Sequence, residues 1–368
     1  MKKCLLCITS NMNTGGAETF LMKMFRCLNH TQYKMDFCVN TKNNFYAPEI
    51  AKLGGNIYQI SCKSRNPFKF FWQLRRLVKK HQYKYVIRVN EHSLSVLDLL
   101  AAKCGGATHL IMRSSNASCS SSISLLLHKL FSFLPKYIPT TKLAPSDLAA
   151  KFTFGNIADV HLLPNGLDIQ TFTFSADNRR KIRQEFNAQD KFVVGHIGRF
   201  MTQKNHKFLL QIFAEIKKIK PNAVLWLIGK GELEEDIKSQ IAKIGLQDSI
   251  KFLGIRSDIP ALLSAMDVFV FPSLFEGMPN TVIEAQTTGL PCLISDTITK
   301  QAKQTDLVYF MNLNKSAADW AKKALEIASL QKLEKRPQAS KQMRAAGYDI
   351  TNVVQQFTYL VFGGNKNA

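Results

Sequence analysis

At 368 residues the chain is long for one domain and comfortable for two, each able to bury its own core. With 46% apolar and 21% charged residues the composition is globular, which excludes a disordered chain, and no run approaches the about eighteen apolar residues of a membrane-spanning helix. The net charge of +22 is uneven: residues 1–170 hold 22 Lys/Arg against 8 Asp/Glu, and from Lys63 to Arg88 nine basic residues occur with no acidic one. Such a face attracts polyanions: nucleic acid, anionic lipid or a phosphorylated substrate. A solvated helix face reads the same way.

In chain order, short β-rich apolar runs alternate with longer amphipathic stretches. The run at 3–9 is too short for a signal peptide, and Asn11, Asn13 and Glu18 follow at once, so it reads as a buried strand. Further strands are expected at 35–39, 56–60, 84–89, 108–112, 140–144 and 159–163. Helices are expected between them at 17–29, 46–53, 66–81, 93–103, 122–132 and 146–153. Pro164-Asn165-Gly166 marks a boundary, followed by a connecting segment to about Lys191. Strands follow at 191–197, 223–229, 249–253, 267–271 and 291–295, with helices at 205–219, 231–244, 258–264 and 280–288. A last helix runs from about 348 to 362. Strict alternation argues an α/β fold with a parallel sheet covered on both faces, here twice over. The expected division is 1–170, 171–345 and a terminal helix at 346–368 that could return to the first domain.

Eight cysteines are present, and Cys4 and Cys7 have half the spacing of a zinc site. No second pair matches them, so they read as buried reduced thiols of a cytoplasmic protein, and no metal is expected.

Three segments carry chemistry. Residues 195–206 read Gly-His-Ile-Gly-Arg-Phe-Met-Thr-Gln-Lys-Asn-His. A strand ends at Gly198 and a helix begins near Asn205, so Arg199 and Lys204 sit beyond the carboxyl end of a strand, where such sheets bind ligands. Arg can grip a diphosphate at two points and Lys acts as a point charge. Residues 276–284 read Glu-Gly-Met-Pro-Asn-Thr-Val-Ile-Glu. Pro279 and Asn280 suit a helix start, and backbone N–H groups within 279–282 would face an anion with the helix dipole behind them. Gly277 permits close approach, and Glu276 and Glu284 can accept hydrogen bonds from sugar hydroxyls. Gly15-Gly16-Ala17-Glu18 turns the first strand into the first helix and offers backbone donors, without the spacing of a dinucleotide fingerprint or a phosphate loop.

Together these segments resemble the retaining glycosyltransferases of family 4, especially those building capsular, exo- or O-antigen polysaccharides. Pro164-Asn165-Gly166, Gly198-Arg199 with Lys204-Asn205, Gly229-Lys230-Gly231-Glu232, and Glu276 with Glu284 match that family's segments. The resemblance implies the GT-B architecture, two Rossmann-like domains facing a central cleft. It implies Arg199, Lys204 and Glu276 as catalytic residues. Donor binding falls to Gly15, Gly16, Gly198, Ile255, Gly277, Met278, Pro279, Asn280, Thr281 and Glu284. Ser115 stands where many relatives have His, which makes His92, Ser115 and Asn116 the possible acceptor-side residues.

The implied reaction moves a sugar from a nucleotide diphosphate to a glycan hydroxyl with retained configuration. The expected partners are a nucleotide-sugar donor, with uridine ahead of guanosine as carrier, and a glycan or lipid-diphosphate-linked acceptor. No Asp-x-Asp motif is present, and no metal or other cofactor is expected. The aromatic and basic residues of 66–81 and the apolar segment 123–138 suit peripheral attachment to an anionic membrane at the cytoplasmic face. A non-catalytic GT-B subunit and a basic nucleic-acid-binding protein remain alternatives, although no nucleic-acid-binding motif is found and nucleic acid is not the expected partner. Sugar-nucleotide 2-epimerases and phosphorylases share the same architecture.

Overall fold

The computed structural model describes residues 2–13, 15–90, 93–114, 128 and 130–363. The chain divides into two units, one of Met1–Gly166 with Asp349–Ala368, the other of Leu167–Tyr348.

The first unit holds a seven-stranded sheet of β1 (Lys3–Ile8), β2 (Tyr33–Val39), β3 (Ile57–Gln59), β4 (Tyr85–Asn90), β5 (His109–Ser114), β6 (Thr141–Ala144) and β7 (Val160–Leu162). Its order is β3-β2-β1-β4-β5-β6-β7, and every pairing is parallel. The connecting helices are α1 (Gly16–Cys27), α2 (Ala47–Lys52), α3 (Pro67–His81), α4 (Val96–Cys104) and α5 (Asp147–Phe154). A β-α-β crossover keeps one hand, so helices cover both faces and each face gains its own core. One core joins Leu5, Phe20, Phe25 and Phe37, and the other joins Leu6, Phe70, Leu74 and Val86. Cys7 packs in the first and Cys4 against the second, on opposite faces of β1, as two residues three apart on a strand must. The expected helix at 122–132 falls largely outside the described residues.

The second unit holds β8 (Phe192–Ile197), β9 (Ala223–Ile228), β10 (Ile250–Gly254), β11 (Val268–Phe271), β12 (Cys292–Ser295) and β13 (Val308–Met311). They form a parallel sheet in the order β10-β9-β8-β11-β12-β13. Its helices are α6 (Ala176–Glu185), α7 (His206–Ile219), α8 (Glu234–Lys243), α9 (Ile259–Ala265), α10 (Asn280–Thr287), α11 (Ala317–Leu330) and α12 (Gln338–Ala345). The final helix, α13 (Ile350–Phe362), packs in the first unit, where Phe357 meets Phe20 edge-on at 5.9 Å.

Helix α6 occupies what the sequence suggested was a connecting segment. It buries only Ile182 and Arg183 of its ten residues, so it carries little apolar signal. Its stability comes from a distant partner. Arg179 donates to the carbonyls of Ser264, Ala265 and Met266, and Arg183 donates to that of Ala265. Both arginines also pair with Asp267 at 2.6 Å. The buried Arg336 adds bonds to Leu263, Ser264 and Met266. Three guanidiniums thus satisfy the carbonyls at the carboxyl end of α9, where the helix dipole favours cations.

In each sheet the strand order reverses beside the first strand of the unit, between β1 and β4 and between β8 and β11. Such switch points leave a crevice beyond the carboxyl ends of the strands, and both glycine-bearing loops fall there.

Candidate functional site

The loop after β8 and the loop after β11 lie side by side. Leu274 N–H donates to Gln203 O at 2.8 Å, and the Gln203 side-chain amide donates to Phe275 O at 2.8 Å. Lys204 lies across Gly198: a Cβ added at Gly198 would meet the lysine stem at 3.2 Å, a tight contact from which the stem would have to shift. The Lys204 ammonium stands 4.6 Å from the centre of the Phe271 ring and 2.6 Å from Glu276 Oε1. Both side chains of this pair are largely buried, at 15% and 10% exposure. The lysine is therefore held in one place by a ring beneath it, a glycine beside it and a carboxylate across from it. Arg199 is placed differently. It is 68% exposed and reaches Glu232 Oε2 at 3.3 Å.

Close packing of the strand ends explains the neighbouring glycines. Gly229 has φ +137°, and a Cβ there would lie 2.2 Å from Gly198 O. A Cβ on Gly231 would lie 2.3 Å from Phe200 O. The loops after β8 and β9 thus approach closely through backbone.

Helix α10 begins at Asn280 with Pro279 as its cap residue. The N–H groups expected to face an anion are narrowed here. Pro279 has none, and those of Val282 and Ile283 donate to Pro279 O at 3.1 and 3.3 Å. Asn280 and Thr281 are the first two residues of the helix. Gly277, Met278 and Pro279 are buried beneath them, and Glu284 is partly exposed one turn further on. Ile255, just past β10, is 68% exposed.

Behind the lysine lies a pair of histidines that sequence reasoning missed. His196 and His206 are buried with ring centres 4.8 Å apart, and His206 meets Phe200 at the same distance. His196 Nδ1 donates to Val270 O at 2.9 Å, while His196 Nε2 and both nitrogens of His206 have no partner among the described residues. Burial pushes His196 well below its ordinary range, and His206 and Lys204 push the same way. Burial first and Lys204 second lower His206 to about 4. The floor beneath Lys204 is therefore neutral and adds no competing charge. The signal was present as two histidines flanking a Gly-Arg and Lys-Asn loop, but each reads alone as an ordinary core residue. Ser273 is another: its buried hydroxyl has no partner among the described residues.

In the first unit, Gly15 caps α1 in extended backbone, and the Glu18 carboxylate folds back to where a Cβ of Gly15 would sit, 2.2 Å away. Nothing lies within 4 Å of a Cβ added at Gly16, so that position faces open space. Arg113 at the end of β5 is buried, stacked 3.6 Å from the centre of the Phe20 ring, and donates to Asn165 Oδ1 at 2.5 Å. His92, Ser115 and Asn116 lie outside the described residues.

The second unit therefore gathers Gly198, Arg199, Lys204, Glu276–Thr281 and Glu284 at one switch point. A groove lined by Phe174, Arg179, Arg183 and Pro337 lies away from it, and its Arg179 and Arg183 are committed to Asp267 and to carbonyls.

Two doubly wound parallel sheets with these loops define a GT-B fold. Solved structures agree: HepE of Anabaena in complex with UDP-glucose matches with a TM-score of 0.81 at 18% identity, covering 98% of this chain and 100% of that one. Residues 177–345 match the family described as glycosyl transferases group 1. The putative glycosyltransferase EpsF of Bacillus subtilis is 31% identical over 361 residues, covering 95% of this chain and 93% of that protein. The UDP-Gal:alpha-D-GlcNAc-diphosphoundecaprenol alpha-1,3-galactosyltransferase of Escherichia coli is 29% identical over 279 residues, covering 71% of this chain and 68% of that one. The chain belongs to the group 1 glycosyltransferases.

Proposed function

We propose that this enzyme transfers a sugar from a nucleotide diphosphate, with uridine as carrier, to a hydroxyl of a lipid-diphosphate-linked glycan in polysaccharide synthesis, with retained configuration. The observation that carries the reading is the fixed Lys204 ammonium at the switch point between β8 and β11, paired with Glu276 in the loop that leads into α10. In the transition state the leaving diphosphate gathers negative charge. A cation already held in place stabilises that charge more than the ground state, without reorganising at the moment of reaction.

Lys204 takes the phosphate nearer the sugar, and the N–H groups of Asn280 and Thr281 meet its oxygens. Arg199, exposed and only loosely paired with Glu232, swings onto the diphosphate from solvent. Glu276 orients Lys204 and, with Gly277 and Met278, borders the donor sugar. Glu284 accepts from the ribose hydroxyls, and the backbone at Ile255 flanks the base. Gly15 and Gly16 are assigned to donor binding; the Gly15 N–H already donates to Asn13 O at 3.0 Å, which leaves that of Gly16, facing open space, for a phosphate. These groups supply the charge that a metal would otherwise provide, so the reaction proceeds with chelator present.

Names borne by relatives support the choice of partners. The E. coli relative is named for a UDP-sugar and a diphosphoundecaprenol acceptor. Helix α3 supports a membrane location at the cytoplasmic face. Phe68 and Trp72 stand 79% and 59% exposed one turn apart, beside Lys69, Arg76, Lys79 and Lys80. Among the described residues no helix is long and apolar enough to cross a membrane. Attachment would instead be peripheral, by aromatic insertion and basic attraction to anionic lipid.

The test is transfer from a panel of UDP- and GDP-sugars to a polyprenyl-diphosphate-linked N-acetylhexosamine, with chelator present and product configuration read by NMR. An α-linked product from an α-linked UDP-sugar supports the reading. Inversion, or transfer only from GDP-sugars, would overturn the corresponding part.

A further inference from the structure

A second cationic cluster lies in the first unit, apart from every residue given a role above. Arg88 on β4 pairs in register with Ile8, the last residue of β1, so its guanidinium sits at the switch point of the first sheet. Arg88 Nη1 donates to Ile8 O at 3.0 Å and to Val89 O at 2.7 Å, and its Nε donates to Asp98 Oδ2 at 2.8 Å. Lys63, in the loop after β3, donates to Asp98 Oδ1 at 2.6 Å and to Leu94 O at 2.9 Å. Asp98 itself is only 2% exposed, so one buried carboxylate fixes two cations, one on each oxygen.

The cations keep donors to spare. Arg88 Nη2 makes no hydrogen bond among the described residues, and the Arg88 side chain is 15% exposed. The Lys63 ammonium has used two of its three protons, and its side chain is 32% exposed. Two cations held on one carboxylate form a site for an anion with several oxygens. The Lys63 ammonium also stands 5.9 Å from the ring centre of Phe70, on the buried face of α3.

We infer that Lys63 and Arg88, held by Asp98, form a subsite for the diphosphate head of a polyprenyl-diphosphate acceptor. This rests on the lipid-diphosphate acceptor of the proposed function and assigns the residues that recognise it. Asp98 acts as a positioning residue, and Lys63 and Arg88 touch the ligand.

The experiment measures binding of farnesyl diphosphate, farnesol and inorganic pyrophosphate to the full chain, with the nucleotide site filled by saturating UDP. Native protein should bind farnesyl diphosphate at least about tenfold tighter than farnesol. Lys63→Gln should weaken the farnesyl diphosphate interaction about tenfold, the effect of one charge-assisted hydrogen bond, and leave farnesol binding unchanged. Lys63→Arg should retain it. Equal loss of farnesol and farnesyl diphosphate binding would mean a purely structural lysine and overturn the inference. Pyrophosphate binding that Lys63→Gln leaves unchanged, or no preference for the diphosphate over farnesol, would overturn it too. No turnover is involved, so failure here leaves donor transfer standing. Failure of sugar transfer with this binding intact would count against the reaction and leave the subsite standing.

Discussion

The Lys204–Glu276 pair joins a structural contact to a catalytic one, and a double-mutant cycle separates them. At 2.6 Å the gross attraction is about 6 kcal/mol for an effective dielectric constant of ~20. Most of that repays desolvation, whereas removing one partner strands the other and typically costs about 3–5 kcal/mol. Glu276 is the more enclosed of the two, at 10% against 15% exposure, and a lysine stem can turn its charge outward. Lys204→Met should therefore destabilise the second unit by about 3 kcal/mol, and Glu276→Gln by about 1–2 kcal/mol. The double variant buries a neutral pair and should return to within about 1 kcal/mol of native stability. Two of the three tryptophans, Trp226 and Trp320, are buried in the second unit, so urea unfolding followed by fluorescence reports on it. Transfer should behave oppositely. Lys204→Met should lower kcat about 10²–10³-fold, as loss of a preorganised charge does elsewhere, and the double variant should not recover. Stability losses that add within about 0.5 kcal/mol, or activity that returns with stability, would refute the reasoning.

Three other outcomes follow from the same geometry. Gly16→Ala should leave stability unchanged or raised by up to about 1 kcal/mol, because a Cβ there meets nothing and alanine favours helix, while transfer falls; unchanged transfer would remove Gly16 from the donor site. His206 has a folded pKa of about 4 against an ordinary 6.5, so its contribution is complete above pH 6.5 and is lost as pH falls toward 4. That gap amounts to about 3 kcal/mol; a pH series of urea midpoints should show the loss, and His206→Phe should remove this share of it while the part due to His196 remains. Replacing both Phe68 and Trp72 by Ala should weaken co-sedimentation with vesicles containing phosphatidylglycerol and leave soluble transfer unchanged; equal retention on neutral and anionic vesicles would contradict the membrane assignment.

The sequence exposed most of the fold because strict alternation of apolar runs and amphipathic stretches survives in a doubly wound sheet. All seven strands of the first sheet and five of the six in the second fell where periodicity put them. The misses have physical causes. Strand β13 (Val308–Met311) is a four-residue edge strand with one fully buried side chain, too short to show a period. Helix α6 is held by arginine bonds to carbonyls more than eighty residues away, which no local window can see. Helix α11 was overlooked although Ser316 and Asp319 form a capping box at its start. For the site, Gly198, Lys204 and Glu276 were legible as residue types in loops after strands. Their convergence was not, because 72 residues separate Lys204 from Glu276 and only the strand order brings β8 beside β11. The neutral histidine floor was hidden because burial, not sequence, decides the charge of an imidazole.

The most direct test of the central claim is a calorimetric titration of UDP into the native chain and into Glu284→Ala. The account predicts saturable one-to-one binding to the native protein and at least a tenfold weaker Kd in the variant, with both proteins unfolding at the same urea midpoint. Absence of UDP binding to the native chain, or equal binding by both, would contradict a nucleotide site at the start of α10.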